Sequence, residues 1–323
     1  MRSGKGEGAV MYSRRLLILG LPFLLCLTGC DMDEVGSWGS SDRYKQDFHY
    51  NFKIKPGGRL EVSNLNGGVE IIAWEKDEVE VNGVMYASTE AKLREMKIET
   101  DSQPESLRLK TVRPEGMGCN CGAKYVIRVP KKIWLSNIVS SNGGLKVEDV
   151  DGEARLETSN GSVKLYRHTG KVNVKTSNAS IEALSLVGDF SGRTSNGSIK
   201  VDGLKGAFEA DTSNASIVAR IDKLPAGRPL KADSSNGSIE LYLPDYADQP
   251  VEADTSNSSI TLRLPASANA EVRVSTTNSS ISNDFELTTT GEISKHRLEG
   301  RIGKGGATIR LSTSNGSVRL QKL

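Results

Sequence analysis

Hydrophobic and polar residues alternate in short runs that return at nearly constant intervals through the second half of the chain. Each run follows an asparagine, and aligning the runs on that asparagine makes the pattern clear. An apolar residue stands three positions after it in every copy and five positions after it in nearly every copy. The position between them is charged in Lys164, Glu182 and Lys200. This period of two predicts β-strands with one buried and one exposed face.

The spacing of the asparagines predicts how these strands are arranged. Five copies follow one another every 18 residues, later steps are 22, 21 and 21, and a last step of 37 equals about two repeats. A period near 20 residues is typical of coils that bury their apolar faces against one another. The asparagines, expected to form a structural ladder, are Asn142, Asn160, Asn178, Asn196, Asn214, Asn236, Asn257, Asn278 and Asn315.

Two architectures fit the asparagine-centred phrase. Asn-Gly between alternating strands is typical of a β-hairpin, and a series of hairpins would give an antiparallel meander. A type I′ hairpin, however, needs positive φ at both central residues, and Ala or Ser follows the asparagine in four copies. One left-handed asparagine per corner suits a coil better. We therefore predict an all-β fold, a single parallel β-helix or solenoid with about 18 to 22 residues per rung and a divergent N-terminal β-rich cap.

The remaining positions of the repeat predict a second corner and an internal polar column. Gly152, Gly170, Gly188 and Gly206 stand ten residues after the asparagine and are expected at the second corner. The threonine of the phrase lies two positions after a buried apolar residue, so it is expected on the buried side. The asparagine, two positions after the threonine, is expected on the same side. Stacked hydroxyls and amides could then bond along the stack inside the protein. The threonines are Thr158, Thr176, Thr194, Thr212, Thr255 and Thr313.

The repeat divides the chain into four expected regions. Residues 1–29 form a signal peptide, 30–43 a flexible tether, 44–135 an N-terminal cap with the first rungs, and 136–323 the repeat solenoid. Residues 88–95 have helical character, with Ser88 as the expected N-cap. The last strands, 307–311 and 317–320, are expected to close the far end of the stack.

The N-terminus indicates export. Arg14 and Arg15 precede an apolar run, Leu16–Leu27, and the Leu-Thr-Gly-Cys sequence that ends at Cys30 looks like the lipobox of a bacterial lipoprotein signal peptide. The run is short for a membrane span. The resemblance implies cleavage before Cys30 and lipidation of its thiol. We expect an exported protein, attached through this lipid to the periplasmic or cell-surface face of an envelope membrane; an ordinary secretory signal is the alternative.

Two other groups of residues could carry chemistry. Cys119 and Cys121 form a Cys-x-Cys sequence that could close a loop disulfide; free thiols and a metal site are the alternatives. Asp211, Asp233 and Asp254 occupy one outward column on consecutive rungs. They are candidate ligands of a divalent cation, but no repeated calcium motif accompanies them. We expect a solvated acidic face there, without a metal site or cofactor.

Charge and motifs argue against two classes of function. Charged residues make up 25% of the chain and the net charge is +2, so no strong field is available to hold nucleic acid. No G-x-S-x-G, H-E-x-x-H or phosphate-loop sequence is present. We therefore predict that the protein is not an enzyme.

Several phrases resemble the bacterial putative-adhesin family, a domain of unknown function found in envelope proteins. They are GGRLEVSNLNGGVEI near the start, the Val129-Pro130 step, the serial TSNGSI copies and the closing GGATIRLSTSNGSVRL. The resemblance spans roughly residues 44–323 and implies an all-β solenoid on an exported or membrane-attached protein. It brings no catalytic residues to carry over.

These observations together predict a lipid-anchored extracytoplasmic solenoid that acts as a surface or periplasmic interaction module. Its expected partners are the membrane, through the lipid, and an envelope glycan or protein. Two alternatives stay open at this point: a structural scaffold that assembles end to end, and a carbohydrate-active β-helix enzyme.

Overall fold

Two long sheets, of 13 and 14 strands, enclose one apolar core. They are seen in a computed structural model, which describes residues 43–113, 120–225 and 227–323. All of these residues lie within one unit, Gly39–Leu323. The predicted signal peptide and all but the last residue of the predicted tether lie outside the described residues, and both remain predictions. None of the helices in the described ranges has the length and apolar character that a membrane crossing needs.

The described elements are, in chain order, β1 (Tyr44–Lys53), β2 (Arg59–Asn64), β3 (Val69–Trp74), β4 (Glu78–Ala87), α1 (Glu90–Glu95), β5 (Lys97–Gln103), β6 (Ser106–Val112), β7 (Gly122–Pro130), β8 (Trp134–Ser140), β9 (Leu145–Glu148), β10 (Ala154–Thr158), β11 (Val163–Tyr166), β12 (Val172–Lys175), β13 (Ile181–Leu184), β14 (Phe190–Thr194), β15 (Ile199–Lys205), β16 (Phe208–Thr212), β17 (Ile217–Lys223), β18 (Leu230–Ser234), β19 (Ile239–Tyr242), β20 (Val251–Thr255), β21 (Ile260–Leu264), β22 (Ala270–Thr276), β23 (Ile281–Asn283), β24 (Leu287–Ile293), β25 (Arg297–Ile302), β26 (Thr308–Thr313) and β27 (Val318–Lys322).

The central strands stack in parallel, one strand of each coil in each sheet, which confirms the predicted β-solenoid. Sheet A runs β1-β4-β7-β3-β9-β11-β13-β15-β17-β19-β21-β27-β23, and sheet B runs β24-β25-β22-β26-β20-β18-β16-β14-β12-β10-β8-β2-β6-β5. Equivalent positions of successive coils pair in register, as Val163 does with Ile181 and Ile181 with Ile199. These three side chains are fully buried. The apolar positions three and five after each asparagine therefore line the core.

The order of the rungs departs from the order of the chain at both ends. The first rung, β2 with β3, lies between β6 with β7 and β8 with β9. The last rung, β26 with β27, lies between β20 with β21 and β22 with β23. The expectation that residues 307–311 and 317–320 close the far end is therefore wrong. The closing strands there are β23 in sheet A and β24 in sheet B.

Antiparallel strands cover both ends of the parallel stack. β1 pairs with β4 and β4 with β7 at one end of sheet A, while β5 pairs with β6 in sheet B. At the other end β25 pairs with β22 and with β24. The predicted helix is present as α1, which contacts β4 and β1 and buries Leu93. Its N-cap is Thr89, whose hydroxyl accepts a bond from the Lys92 amide at 3.3 Å, and not Ser88 as predicted.

Candidate functional site

An unbroken row of asparagine side chains runs along one corner of the solenoid. Each Nδ2 donates a hydrogen bond to Oδ1 of the asparagine in the neighbouring rung, at 2.6–2.8 Å. We call these residues the asparagine row; they are, in spatial order, Asn66, Asn142, Asn160, Asn178, Asn196, Asn214, Asn236, Asn257, Asn315 and Asn278. At the first end, Asn66 Nδ2 donates to the Cys121 carbonyl at 2.8 Å.

The asparagines of the repeat lie on the outside of the protein. Asn160, Asn178 and Asn196 are exposed, as are their equivalents in the other copies of the repeat. The prediction that they share the buried side with the threonines is therefore wrong. The strand before the asparagine ends two residues earlier, for example at Thr158 in β10. Successive side chains alternate between buried and exposed faces only within a strand, so this alternation does not predict which residues of the corner are buried.

The threonines, in contrast, are buried as predicted and bond to the backbone of the corners. Thr158 Oγ1 donates to the Gly143 carbonyl of the preceding rung at 3.0 Å and accepts from the Gly161 amide of its own corner at 3.2 Å. Thr212 donates in the same way to the Gly197 carbonyl at 3.0 Å. These hydroxyls satisfy backbone groups beneath the asparagine row, so the corner has a fixed shape in every rung.

In four successive coils the left-handed residue is at the other corner. The positive φ angles of 61°, 49° and 57° belong to Asp149, Arg167 and Ser185, seven residues after the asparagine, where Gly203 has 75°. No asparagine has positive φ among the described residues, so the left-handed role assigned to it is wrong. The sequence offers little signal for this position, because Asp, Arg, Ser and Gly occupy it in turn.

The expected glycine corner follows three residues later. A Cβ on Gly170 would lie 2.2 Å from the Gly152 carbonyl oxygen of the preceding rung, and the φ of Gly170 is 125°. The backbones therefore touch where the coil turns into sheet B, which requires glycine. Nearby, Arg167 Nε and Nη2 donate to the two carboxylate oxygens of Asp149 at 2.7 and 2.9 Å, and this bidentate pair lowers the pKa of Asp149.

The amides of the asparagine row can form further hydrogen bonds with a ligand. Each amide uses one N–H and one acceptor position within the row, which leaves a second N–H and a second lone pair per side chain. Exposed or half-exposed serines flank the row, for example Ser159 before Asn160 and Ser162 after it. The repeated phrase contains no charged residue in any rung. At about 4.8 Å per rung, the surface is an uncharged polar ridge about 40 Å long.

The column of Asp211, Asp233 and Asp254 is formed as the sequence predicts, on the outer face of sheet B. Asp233 lies opposite both others in the register of β16, β18 and β20. Burial, then the Asp254 and Asp211 carboxylates, raise the pKa of Asp233. Within the described ranges, no three His, Cys, Asp or Glu side chains are grouped so as to hold a metal ion.

Cys121 and His168 are two further buried residues with reactive or titratable side chains. Cys121 is disulfide-bonded and is the sole cysteine among the described residues, so its partner is outside them. Its pairing with Cys119 stays a prediction, since residue 119 is not described, and Cys30 also lies outside the described residues. His168, which the sequence did not single out, is buried in the core, and within the described part of the chain neither ring nitrogen has a hydrogen-bond partner.

Comparison with known proteins gives a family match and distant structural matches, two of which are described below. The model of the family described as Toastrack DUF4097 matches residues 58–321. A search of curated proteins finds no match to this chain. A "putative cell adhesion protein" from Clostridium sporogenes ATCC 15579 is 11% identical, over 86% of this chain and 100% of its own, with a TM-score of 0.20. A "putative adhesin" from Bacteroides fragilis NCTC 9343 is 14% identical, over 86% and 97%, with a TM-score of 0.31.

Proposed function

This chain belongs to the Toastrack DUF4097 family, and from that premise we propose that it is a non-catalytic, adhesin-like interaction module of the bacterial cell envelope. The observation that carries the proposal is the exposed asparagine row. The row repeats one set of donors and acceptors from rung to rung.

The row suits an extended, uncharged and hydroxyl-rich ligand, which is the chemistry of an envelope glycan. A ligand of this kind presents donors and acceptors at intervals along its length, and so does the row. Because each amide is already bonded to its neighbours, little side-chain freedom remains to be lost on binding. The buried threonine bonds fix the backbone below, as Thr158 does at Gly143 and Gly161. A protein with an extended polar segment is the second class of partner that fits.

The proposed location is the outer side of an envelope membrane, with a lipid on Cys30 as the anchor. The support comes from the sequence: Arg14 and Arg15, the apolar run Leu16–Leu27, and the Leu-Thr-Gly-Cys sequence. Residues 31–43 would tether the solenoid to that lipid. With a glycan-binding ridge and a membrane anchor on one chain, the protein would link the membrane to the surrounding envelope.

The alternative of an end-to-end scaffold is less well supported. Growth of a solenoid needs long, unprotected strand edges at both ends. Here β23, the edge strand of sheet A at the far end, spans only three residues, so sheet A lacks such an edge at that end. A carbohydrate-active enzyme is disfavoured by the uniformity of the repeat, because a catalytic site would interrupt it on one face.

The test is a binding screen with the full chain, purified in a non-ionic detergent, against envelope glycans, peptidoglycan fragments and unrelated acidic polysaccharides, with and without calcium. The proposal predicts saturable, calcium-independent binding to a neutral glycan or peptidoglycan fragment, with no change in the glycan's mass. A shortened glycan product would identify an enzyme. No binding, together with particles that grow with concentration in light scattering, would identify a scaffold and contradict the proposal.

A further inference from the structure

The N-terminal end of sheet A has an edge strand that differs from the other edges of the molecule. β1 is ten residues long and, among the residues that the structure describes, pairs only with β4, on one side. At this end sheet A extends one strand beyond sheet B, whose last strand is β5. The free side of β1 therefore presents a full row of backbone N–H and C=O groups for another strand.

The two faces of β1 are chemically distinct. On the inner face Phe48 is buried, and Tyr50 and Phe52 are partly buried and pack against the core. Their rings form a continuous row, with centroids 5.8 Å apart for Phe48 and Tyr50 and 6.1 Å apart for Tyr50 and Phe52. The outer face carries exposed Asp47 and Lys53, and neither forms an ion pair with another described residue.

The sequence of β1 is complementary to itself when the strand is reversed about Tyr50. In an antiparallel pair of two copies with Tyr50 opposite Tyr50, Phe48 lies opposite Phe52. In the same register Asp47 lies opposite Lys53, and the two-fold axis repeats each of these pairs. Opposite charges and aromatic pairs at directly facing positions are among the pairs that stabilise antiparallel sheets. Parity is preserved, because aromatic residues meet on the inner face and charges meet on the outer face.

The edge strand of sheet B at the same end lacks this property. Reversing β5 about its central residue, Thr100, would place Glu99 opposite Asp101. Like charges at facing positions destabilise a strand pair and are a common protection of sheet edges. One edge at this end thus opposes self-pairing and the other favours it.

We propose that β1 is a homodimerisation strand, through which two copies of this chain pair antiparallel about Tyr50 and join their A sheets into one continuous sheet. The interface is isologous, so it closes on itself and gives a dimer and not a filament. The two solenoids then extend in opposite directions from the shared strand pair and display two asparagine rows. This proposal does not depend on the proposed function, although two rows would allow bivalent attachment to one polymer.

The test is a charge-swap series in the full chain, measured by sedimentation equilibrium in density-matched detergent from about 1 to about 100 µM protein. The wild type is expected to dimerise in this range. Lys53→Asp sets Asp47 against an aspartate twice in each dimer and should weaken dimerisation by about tenfold or more. Combining Asp47→Lys with Lys53→Asp restores both opposite-charge pairs and should restore the dimer.

Lys97→Asp is the matched control, since it makes the same change at an exposed position of β5 and should leave dimerisation unchanged. Thermal melts by circular dichroism establish that each variant is folded. The proposal is overturned if the wild type is monomeric throughout the range, if the double variant does not regain the dimer, or if Lys97→Asp weakens it as much as Lys53→Asp. If two chains associate only because they share a detergent micelle, none of these substitutions will change the association. That result would also overturn the proposal.

Discussion

His168 is a titratable side chain buried among apolar residues. It is 1% exposed and occupies a core position held by Val150 and Leu186 in the neighbouring rungs. Neither ring nitrogen has a hydrogen-bond partner among the described residues. Burial lowers the pKa of His168 to about 4, and the Gly152 backbone and the Asp151 carboxylate offset only part of this effect. The ring is therefore neutral at physiological pH.

This burial predicts a specific pH dependence of stability. The folded-state pKa, about 4, lies below the ordinary value of 6.5, so the unfolded chain binds more protons between these values and stability falls as the pH drops. The fall amounts to about 3 kcal/mol across the window. His168→Leu should remove it and raise stability at pH 7. Denaturant titrations of both proteins from pH 7 to pH 4 measure the difference, and parallel profiles would contradict the assignment.

Gly197 tests how tightly the corners of neighbouring rungs approach. A Cβ on Gly197 would lie 1.8 Å from the Ala179 carbonyl oxygen, so Gly197→Ala must displace the backbone below the asparagine row. We expect a loss of about 1–3 kcal/mol in the free energy of unfolding. Gly68→Ala is the control, because its nearest neighbour would be the Gly144 carbonyl oxygen at 3.4 Å. Equal midpoints of chemical denaturation for the two variants would argue against the close approach.

Residue types were easier to predict than residue environments. The sequence identified Asn160 and Thr158 as repeated positions, and the burial of Thr158 followed from the alternation within β10. The exposure of Asn160 could not be predicted, because it depends on how the chain bends after the strand ends. The left-handed residue, Arg167 in this coil, has no side-chain preference that would have revealed it.

At the scale of the element, the alternation of buried and exposed residues predicted most strands correctly, and their outer faces form columns of identical register. In one column Asp211, Asp233 and Asp254 lie side by side on neighbouring strands. Burial and these neighbours raise the pKa of Asp233 above its ordinary value. The folded state therefore binds a proton more readily than the unfolded state, and the column opposes folding at neutral pH more than at acid pH.

Replacing the central member should stabilise the protein. Asp233→Asn removes the charge repelled by its neighbours, and we expect a gain on the order of 0.5 kcal/mol at pH 7, because solvent screens an exposed column. The gain should shrink towards pH 4, where the raised pKa lets the native carboxylate take up a proton. Thermal melts at both pH values measure it, with the exposed Asp245→Asn as the control. A destabilised variant at pH 7 would indicate that the column binds a cation.

At the scale of the whole molecule, the sequence predicts the stack and leaves the order of its outermost rungs undetermined. The repeated phrase is nearly the same in every coil. Two rungs, that of Asn315 and that of Asn278, therefore fit equally well next to the rung of Asn257. The structure places it between the two. The order follows from the antiparallel strands β24 and β25, which cover β22 and make the rung of β22 and β23 terminal. Those strands lie in the interval of 37 residues, for which the spacing of the asparagines predicts about two repeats.

Disulfide trapping tests this order. The Ser314 amide donates to the Ser256 carbonyl at 3.2 Å, and the Thr277 amide donates to the Ser314 carbonyl at 3.2 Å. One rung, about 4.8 Å, suits a disulfide, whereas two rungs, about 9.6 Å, do not. Cysteines at 256 and 314 should therefore crosslink, and cysteines at 256 and 277 should not. Peptide mapping by mass spectrometry identifies the linked pair, and the reverse result would restore the sequential order.

The affinity of asparagine-row variants for the glycan identified in the screen tests whether this row is the binding surface. Asn178→Ala, Asn196→Ala and Asn214→Ala together remove three adjacent amides, and the control Asn173→Ala removes an exposed amide from sheet B near the same coil. Isothermal titration should show an affinity lower by about tenfold or more for the triple variant and an unchanged affinity for the control. Equal affinities in the wild type and the folded triple variant would contradict the account.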